Sequence, residues 1–342
     1  AFSAAFSLPF TVFAFAPSLL KDLPKSGGWL NSVKVVLGFV EVALGLKFLS
    51  VADQVYQWNL LDREVYLAIW IVVFSLLGLY LLGKLRFAHD TPEDHISVKR
   101  LFFAIIVFSF VVYMIPGMWG APLKALSGYL PPQQTMDFDL KRINQENSDK
   151  VIQYVDAKMS NISVQTEQVD KKVTSVLCEE PKYADFLHLP HGLKGYYDYE
   201  QGLACAKAQN KPIYIDFTGH GCVNCREMEA NVWSDPRVLE MLRDEYVIIA
   251  LYVDDKTTLP EDEWMVNSKG KKKKTSIGSK NSAFQISKFD ANAQPYYCLM
   301  GHNGELLVEP RSYNLDKDAF VDFLKKGVEN YNNGVSIRNI FE

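Results

Sequence analysis

Residues 211–229 read KPIYIDFTGHGCVNCREME, and the fold follows from how this stretch is parsed. Residues 212–217 predict a short buried strand, mostly apolar and aromatic, interrupted by one carboxylate, Asp216. Gly219 and Gly221 break that strand. Cys222 and Cys225 follow at C-x-x-C spacing on a predicted helix, because Arg226, Glu227, Met228 and Glu229 are good helix formers. Cys222 then sits at a helix N-terminus, where unpaired N–H groups and the helix dipole stabilise a thiolate. This makes Cys222 the expected nucleophile. Cys225, one turn further in and more buried, is the expected resolving thiol, which closes the disulfide and expels a bound partner. Asp216 is expected beneath it: a carboxylate on a buried strand is costly unless it is protonated or has a proton to move, and the Cys225 proton is available.

A C-x-x-C can also be half of a zinc site. The remaining cysteines, Cys178, Cys205 and Cys298, make no second C-x-x-C, and none of the six histidines forms an H-x-x-x-H pair. The expectation is no metal and no organic cofactor, with a structural or zinc-bound C-x-x-C in a membrane-tethered scaffold as the alternative. Cys205 and Cys298 read as buried structural thiols, while the state of Cys178 stays open.

The segment resembles the active site of the thioredoxin superfamily, in which a strand with a buried acid leads into a C-x-x-C and a helix. Residues 293–296, AQPY, and the apolar residues 297–300 resemble that family's cis-proline loop and its next strand, with His302 to Glu305 as the Asn-Gly turn. The resemblance implies that Gln294 and Pro295 contribute to the partner-binding face. His220 is assigned to the same face. It reads either as a support for the thiolate or as an exposed loop residue. The sequence departs from the family where Gly221 replaces the aromatic residue that usually precedes the first cysteine.

The near-zero mean hydropathy conceals two unlike halves. Residues 1–119 read as a membrane domain, 120–191 as a partly helical linker, and 192–342 as the thioredoxin-like domain. The predicted fold class is all-α transmembrane helices followed by an α/β domain. Four apolar runs, 2–20, 33–51, 65–82 and 101–119, are each about one bilayer long, with tryptophans at or near their ends. Lys21, Lys25 and Lys34 follow the first run, and Lys84, Arg86, Lys99 and Arg100 follow the third, which orients those loops to the cytoplasm. Everything after Trp119 then lies on the oxidising side, where a C-x-x-C can cycle. Glu41 falls within the second run and marks a function or a paired interior contact, with a transport path as a further reading. Lys47 is expected to snorkel to the headgroups.

Residues 7–15, SLPFTVFAF, and 23–50, LPKSGGWLNSVKVVLGFVEVALGLKFLS, resemble the later helices of the DsbD family of transmembrane thiol:disulfide interchange proteins, and residues 222–229, CVNCREME, resemble that family's C-terminal active site. The resemblance implies roles for the acids Asp216 and Glu229 beside the cysteines. It also implies an electron relay: cytoplasmic thioredoxin reduces a cysteine pair in the membrane domain, which reduces the C-terminal C-x-x-C, which reduces periplasmic disulfide-bearing proteins or an acceptor domain. The expected activity is protein-disulfide reduction, the expected location a bacterial inner membrane with the C-terminal domain in the periplasm. The link to cytochrome c biogenesis comes with the resemblance alone. No cysteine precedes Cys178, so the intramembrane pair is absent and the chain reads as the later part of a longer protein.

Residues 152–176 have helix-like apolar spacing and read as a spacer or a docking helix. The lysine run 269–274, KGKKKK, reads as a solvated loop tip or a contact for an acidic partner or lipid. A net charge of −4 gives no nucleic-acid signal.

Overall fold

The computed structural model describes residues 29–87, 90, 95–140, 143–144, 177–266 and 273–341. The first apolar run, the helix expected over 152–176 and the part of the lysine run at 269–272 lie outside the described residues. The chain divides into two compact units, Ala1–Leu46 with Ile69–Ile115, and Lys47–Ala68 with Pro116–Glu342.

The first helices are α1 (Trp29–Tyr56), α2 (Arg63–Leu81) and α3 (Val98–Met114); the first unit holds α1 up to Leu46, α2 from Ile69 onward and α3, while the end of α1 and the start of α2 belong to the second. Three described stretches, Asn31–Tyr56, Arg63–Leu81 and Val98–Trp119, are long and apolar enough to cross a membrane. Val72, Phe102, Phe103, Ile105 and Ile106 are bare on their surfaces, an arrangement costly in water and suited to hydrocarbon. Inside, Leu77, Leu81 and Ala104 pack with Val36, Phe39 and Phe74. Gly78 admits the Phe108 ring, which lies 2.6 Å from where a Cβ would stand. The Trp70 indole N–H donates to the Ala43 carbonyl at 3.1 Å.

Two expectations for α1 change. Glu41 stands on an exposed face of the helix rather than at an interior contact. Lys47 is buried instead of snorkelling, because the helical repeat places it on the packed stripe Ala43–Lys47–Ser50 at i, i+4, i+7. Charged side chains on either side anchor the turn between α1 and α2. Asp53 accepts from the Leu60 and Leu61 amides at 2.9 and 3.1 Å, and the buried Arg63 donates to the Pro131 and Pro122 carbonyls at 2.6 and 3.0 Å.

The second unit holds a five-stranded mixed sheet. In chain order its main elements are α4 (Tyr199–Gln209), β1 (Ile213–Thr218), α5 (Val223–Met228), α6 (Pro236–Asp244) and β2 (Val247–Tyr252). Then come a two-residue hairpin, β3 (Met265–Val266) and β4 (Lys273–Lys274), followed by α7 (Ile277–Phe289), β5 (Tyr296–Met300), β6 (Glu305–Leu306), α8 (Lys317–Asn332) and β7 (Arg338–Asn339). The sheet order is β2-β1-β5-β6-β7, with β1 parallel to β2 and antiparallel to β5.

Both faces of β1 are covered, so all six residues are buried. The two-residue repeat sorts them. Ile213, Ile215 and Phe217 join Ile249, Leu251, Phe289 and Met300 on one side. Tyr214 joins Trp233, Tyr246, Tyr297, Phe320 and Leu324 on the other, and Asp216 points to that same side. Helix starts follow the side chains available: Asp198 caps α4 through the Gln201 amide, Ser276 and Ser279 form a reciprocal capping box on α7, and Asp316 caps α8. Leu187, Leu189 and Leu193 also enter the core, so the chain just before residue 192 packs against the sheet.

Candidate active site

The strand, glycine and helix order places the cysteine pair at the end of β1. Cys222 is the N-cap of α5 and its sulfur accepts from the Cys225 amide at 3.1 Å. Cys222 and Cys225 are joined in a disulfide. Cys222 is half-buried and Cys225 is 1% exposed, so an incoming group meets the first sulfur and not the second. After α5 the chain widens into a π-type turn, Glu229–Trp233, which holds Glu229 and Trp233 inward.

β1 and the α5 region also bury a group of ionisable side chains, Asp216, Arg226 and Glu229. Asp216 is 3% exposed, and its Oδ1 has no hydrogen-bond partner among the described residues. Burial raises its carboxyl well above the usual range, the nearby Glu229 adds to this, and Arg226 opposes it. Glu229 is likewise pushed up by burial, to about 7, against the pull of Arg226. Arg226 donates from Nη2 to Glu229 Oε1 at 2.8 Å and to Thr218 Oγ1 at 3.1 Å. Two acids and one cation in a dry site cannot all be charged cheaply, so one acid holds a proton near neutral pH. Such a group can take up or return a thiol proton.

The Gln294–Pro295 peptide bond is cis, as the sequence predicts, and Pro295 is buried. Gln294 Nε2 donates to Gln285 Oε1 at 3.0 Å, and Gln285 Nε2 donates to the Ala293 carbonyl at 2.8 Å, which fixes the loop. An open cleft of about 380 Å³ is lined by Gly219, Cys222, Asn224, Val253, Asp254 and Gln294 among others. Cys222 and Gln294 therefore share one face.

His220 does not belong to that face as an exposed residue. It is 7% exposed, its Nε2 lies 2.9 Å from Asp255 Oδ2, and its ring packs on Tyr252 at 4.7 Å between centroids. Asp254 accepts from the His220 and Gly221 amides, each at 2.9 Å. Burial would raise the Asp255 carboxyl, but hydrogen bonds from His220 and Thr257 hold it below the usual range. The loop before Cys222 is thus clamped to the end of β2 by consecutive aspartates, a pairing across 35 residues that a local reading cannot supply.

Cys205 is not a free thiol: it is bonded to Cys178, across a separation of 27 residues. The chain returns to α4 there, with the Cys178 amide donating to Tyr196 Oη at 2.9 Å. Cys298, on β5, is the cysteine left free among the described residues, and burial pushes its thiol well up. Among the described residues no group of three His, Cys, Asp or Glu side chains is arranged to hold a metal ion.

The family described as thioredoxin-like matches residues 195–299, which hold β1, α5, β2 and the cis-proline with β5. These residues form a thioredoxin-like domain. Beyond it, the chain is 24% identical over 242 residues to the thiol:disulfide interchange protein DsbD of Pseudoalteromonas atlantica, covering 71% of this chain and 30% of that protein. It is 41% identical over 51 residues to the DsbD of Salmonella typhi, covering 15% of this chain and 9% of that protein. The chain thus spans less than a third of the length of these relatives. A solved structure described as DsbH oxidoreductase aligns at 15% identity with a TM-score of 0.32, over 49% of this chain and 95% of that one. The thioredoxin-like domain, the similarity to DsbD and the Cys222–Cys225 pair together support thiol:disulfide oxidoreductase activity in general.

Proposed function

We propose that this chain is a membrane-anchored protein-disulfide reductase that passes two electrons from the Cys222–Cys225 dithiol to disulfides of periplasmic proteins or of an acceptor domain. The observation that carries the reading is the disulfide-bonded cysteine pair at the start of α5, with Cys222 and Gln294 lining one cleft, in a domain that also buries Asp216, Glu229 and Arg226. In the reduced form the Cys222 thiolate attacks one sulfur of the partner disulfide. A Cys222–partner bond forms, the partner's own bond breaks, and its second sulfur leaves as a thiolate that takes a proton. Cys225 then gives its proton to the acid pair and attacks Cys222. The internal disulfide closes, and the partner departs with both thiols reduced. No cofactor enters these steps.

Asp216 and Glu229 act as the proton store for Cys225, and Gln294 and Pro295 present backbone to the partner chain beside Cys222. The three long apolar helices and the similarity to DsbD support an anchor in an inner membrane with this domain on the periplasmic side. Electrons then enter from cytoplasmic thioredoxin through membrane cysteines that this chain does not carry. Reduced chain added to insulin tests the chemistry. Cys222→Ala should abolish reduction, and Cys225→Ala should stall as a covalent Cys222–insulin adduct visible by mass. Turnover that survives loss of Cys222 would refute the assignment.

A further inference from the structure

The residues on either side of Cys222 are both covered by this chain's own membrane-proximal segments within the second unit. Val51, near the outer end of α1, places Cγ1 3.2 Å from where a Cβ on Gly221 would stand. Gly128 lies against Val223, whose Cγ1 is 2.4 Å and carbonyl oxygen 3.3 Å from where a Cβ on Gly128 would stand. Around these two contacts are polar pairs. Gln57 Nε2 donates to Thr257 Oγ1 at 2.6 Å, Lys124 Nζ to Ser234 Oγ at 3.3 Å, and Gln134 Nε2 to the Leu189 carbonyl at 3.2 Å. Small apolar contacts ringed by polar ones are the anatomy of a recognition surface.

We propose that residues 47–57 and 124–128 form a docking seat for the Cys222 face, and that Gly221 stands where related domains carry an aromatic residue because Val51 occupies that place. The inference deepens the redox reading proposed above and rests on it for its meaning. The seat has two consequences. A small disulfide or thiol reaches Cys222 through the open cleft beside Asn224 and Gln294. A folded protein that covers Gly221 and Val223 as well as Cys222 must instead displace Val51 and Gly128. Partner proteins therefore compete with a segment tethered to the same chain, which acts at high effective concentration. Glycine at 128 is the steric condition for seating, since a Cβ there would lie 2.4 Å from Val223 Cγ1, whereas one at 221 would sit 3.2 Å from Val51 Cγ1, a tight fit that asks Val51 to give slightly.

The test uses the full chain in detergent, with Cys225→Ala leaving Cys222 as a free thiol and Val51→Cys supplying a second one. Diamide, a two-electron thiol oxidant, should join residues 51 and 222, read by peptide mass. A control with Lys326→Cys, on the exposed side of α8, should not couple to Cys222. Adding Gly128→Val to the Val51→Cys chain should lower the yield by about tenfold or more. A 51–222 yield no greater than the control's would overturn the proposal, as would a yield that Gly128→Val leaves unchanged in a folded chain. If Gly128→Val fails to fold, the comparison of positions 51 and 326 decides alone. Seating read this way is independent of electron flow. Failure of insulin reduction with a sound 51–222 bond would refute the reductase reading and leave the seat, and the reverse result would do the opposite.

Discussion

Glu229 is where single-residue electrostatics meets chemistry. Its carboxyl rises from an ordinary 4.5 to about 7 through burial, so between those values the native protein holds a proton that the unfolded chain has released. The stability this gives is fully present below about pH 4.5 and is lost as pH rises through about 7, a fall on the order of 3 kcal/mol. Urea titrations from pH 4 to 8 should show that decline, and Glu229→Gln should lessen it, the raised Asp216 carboxyl leaving a remainder of the same sign. An unchanged slope in the variant would assign the proton elsewhere. In the proposed mechanism Glu229 helps accept the Cys225 proton, and on that basis the same substitution should slow release of the partner from Cys222. His220 makes a second case. Removing its ring leaves Asp255 charged, fully buried and short of a partner. His220→Ala should therefore cost about 3 kcal/mol by chemical denaturation, whereas an exposed loop histidine would cost almost nothing.

At the scale of elements, the site depends on how helices meet the ends of strands. Gly278 opens α7 against the chain leaving β2: a Cβ there would lie 2.6 Å from both the nitrogen and the oxygen of Asp255 and 2.7 Å from the Val253 oxygen. These are backbone atoms that cannot swing aside. Gly278→Ala should cost about 1–3 kcal/mol and loosen the aspartates that clamp the loop before Cys222. Denaturation would give the cost, and faster amide exchange at His220 and Gly221 would report the loosening. The Cys178–Cys205 bond ties the incoming chain to α4 across 27 residues. In the chain-entropy account, Cys178→Ser should lower stability by about 3–4 kcal/mol while leaving the Cys222–Cys225 couple unchanged. A change in that couple would mean that the two disulfides communicate.

Over the whole molecule, what the sequence revealed follows from the range of the interactions. The strand, glycine and cysteine-helix order was legible because each step has a local cause, and Asp216 stood out because a carboxylate among strand apolars needs a reason to be there. The three described apolar helices were legible from length and composition. Partnerships across many residues were not. Nothing near His220 announces Asp255, nothing near Cys205 announces Cys178, and Arg226 reads as one more helix former until the structure sets it between Glu229 and Thr218. Lys47 misled for a related reason, since apolar length alone does not say which stripe of a helix is packed.

Whether Cys222 and Cys225 form a reducing dithiol can be read from an equilibrium titration. The full chain is brought to balance in thiol/disulfide buffers of graded potential, and free Cys222 and Cys225 are counted by alkylation and mass. A reducing dithiol should show one reversible two-electron couple near that of thioredoxin, about −270 mV. A couple near the strongly oxidising value of about −120 mV would turn the protein into a disulfide donor, and the absence of any reversible couple would contradict the redox assignment altogether.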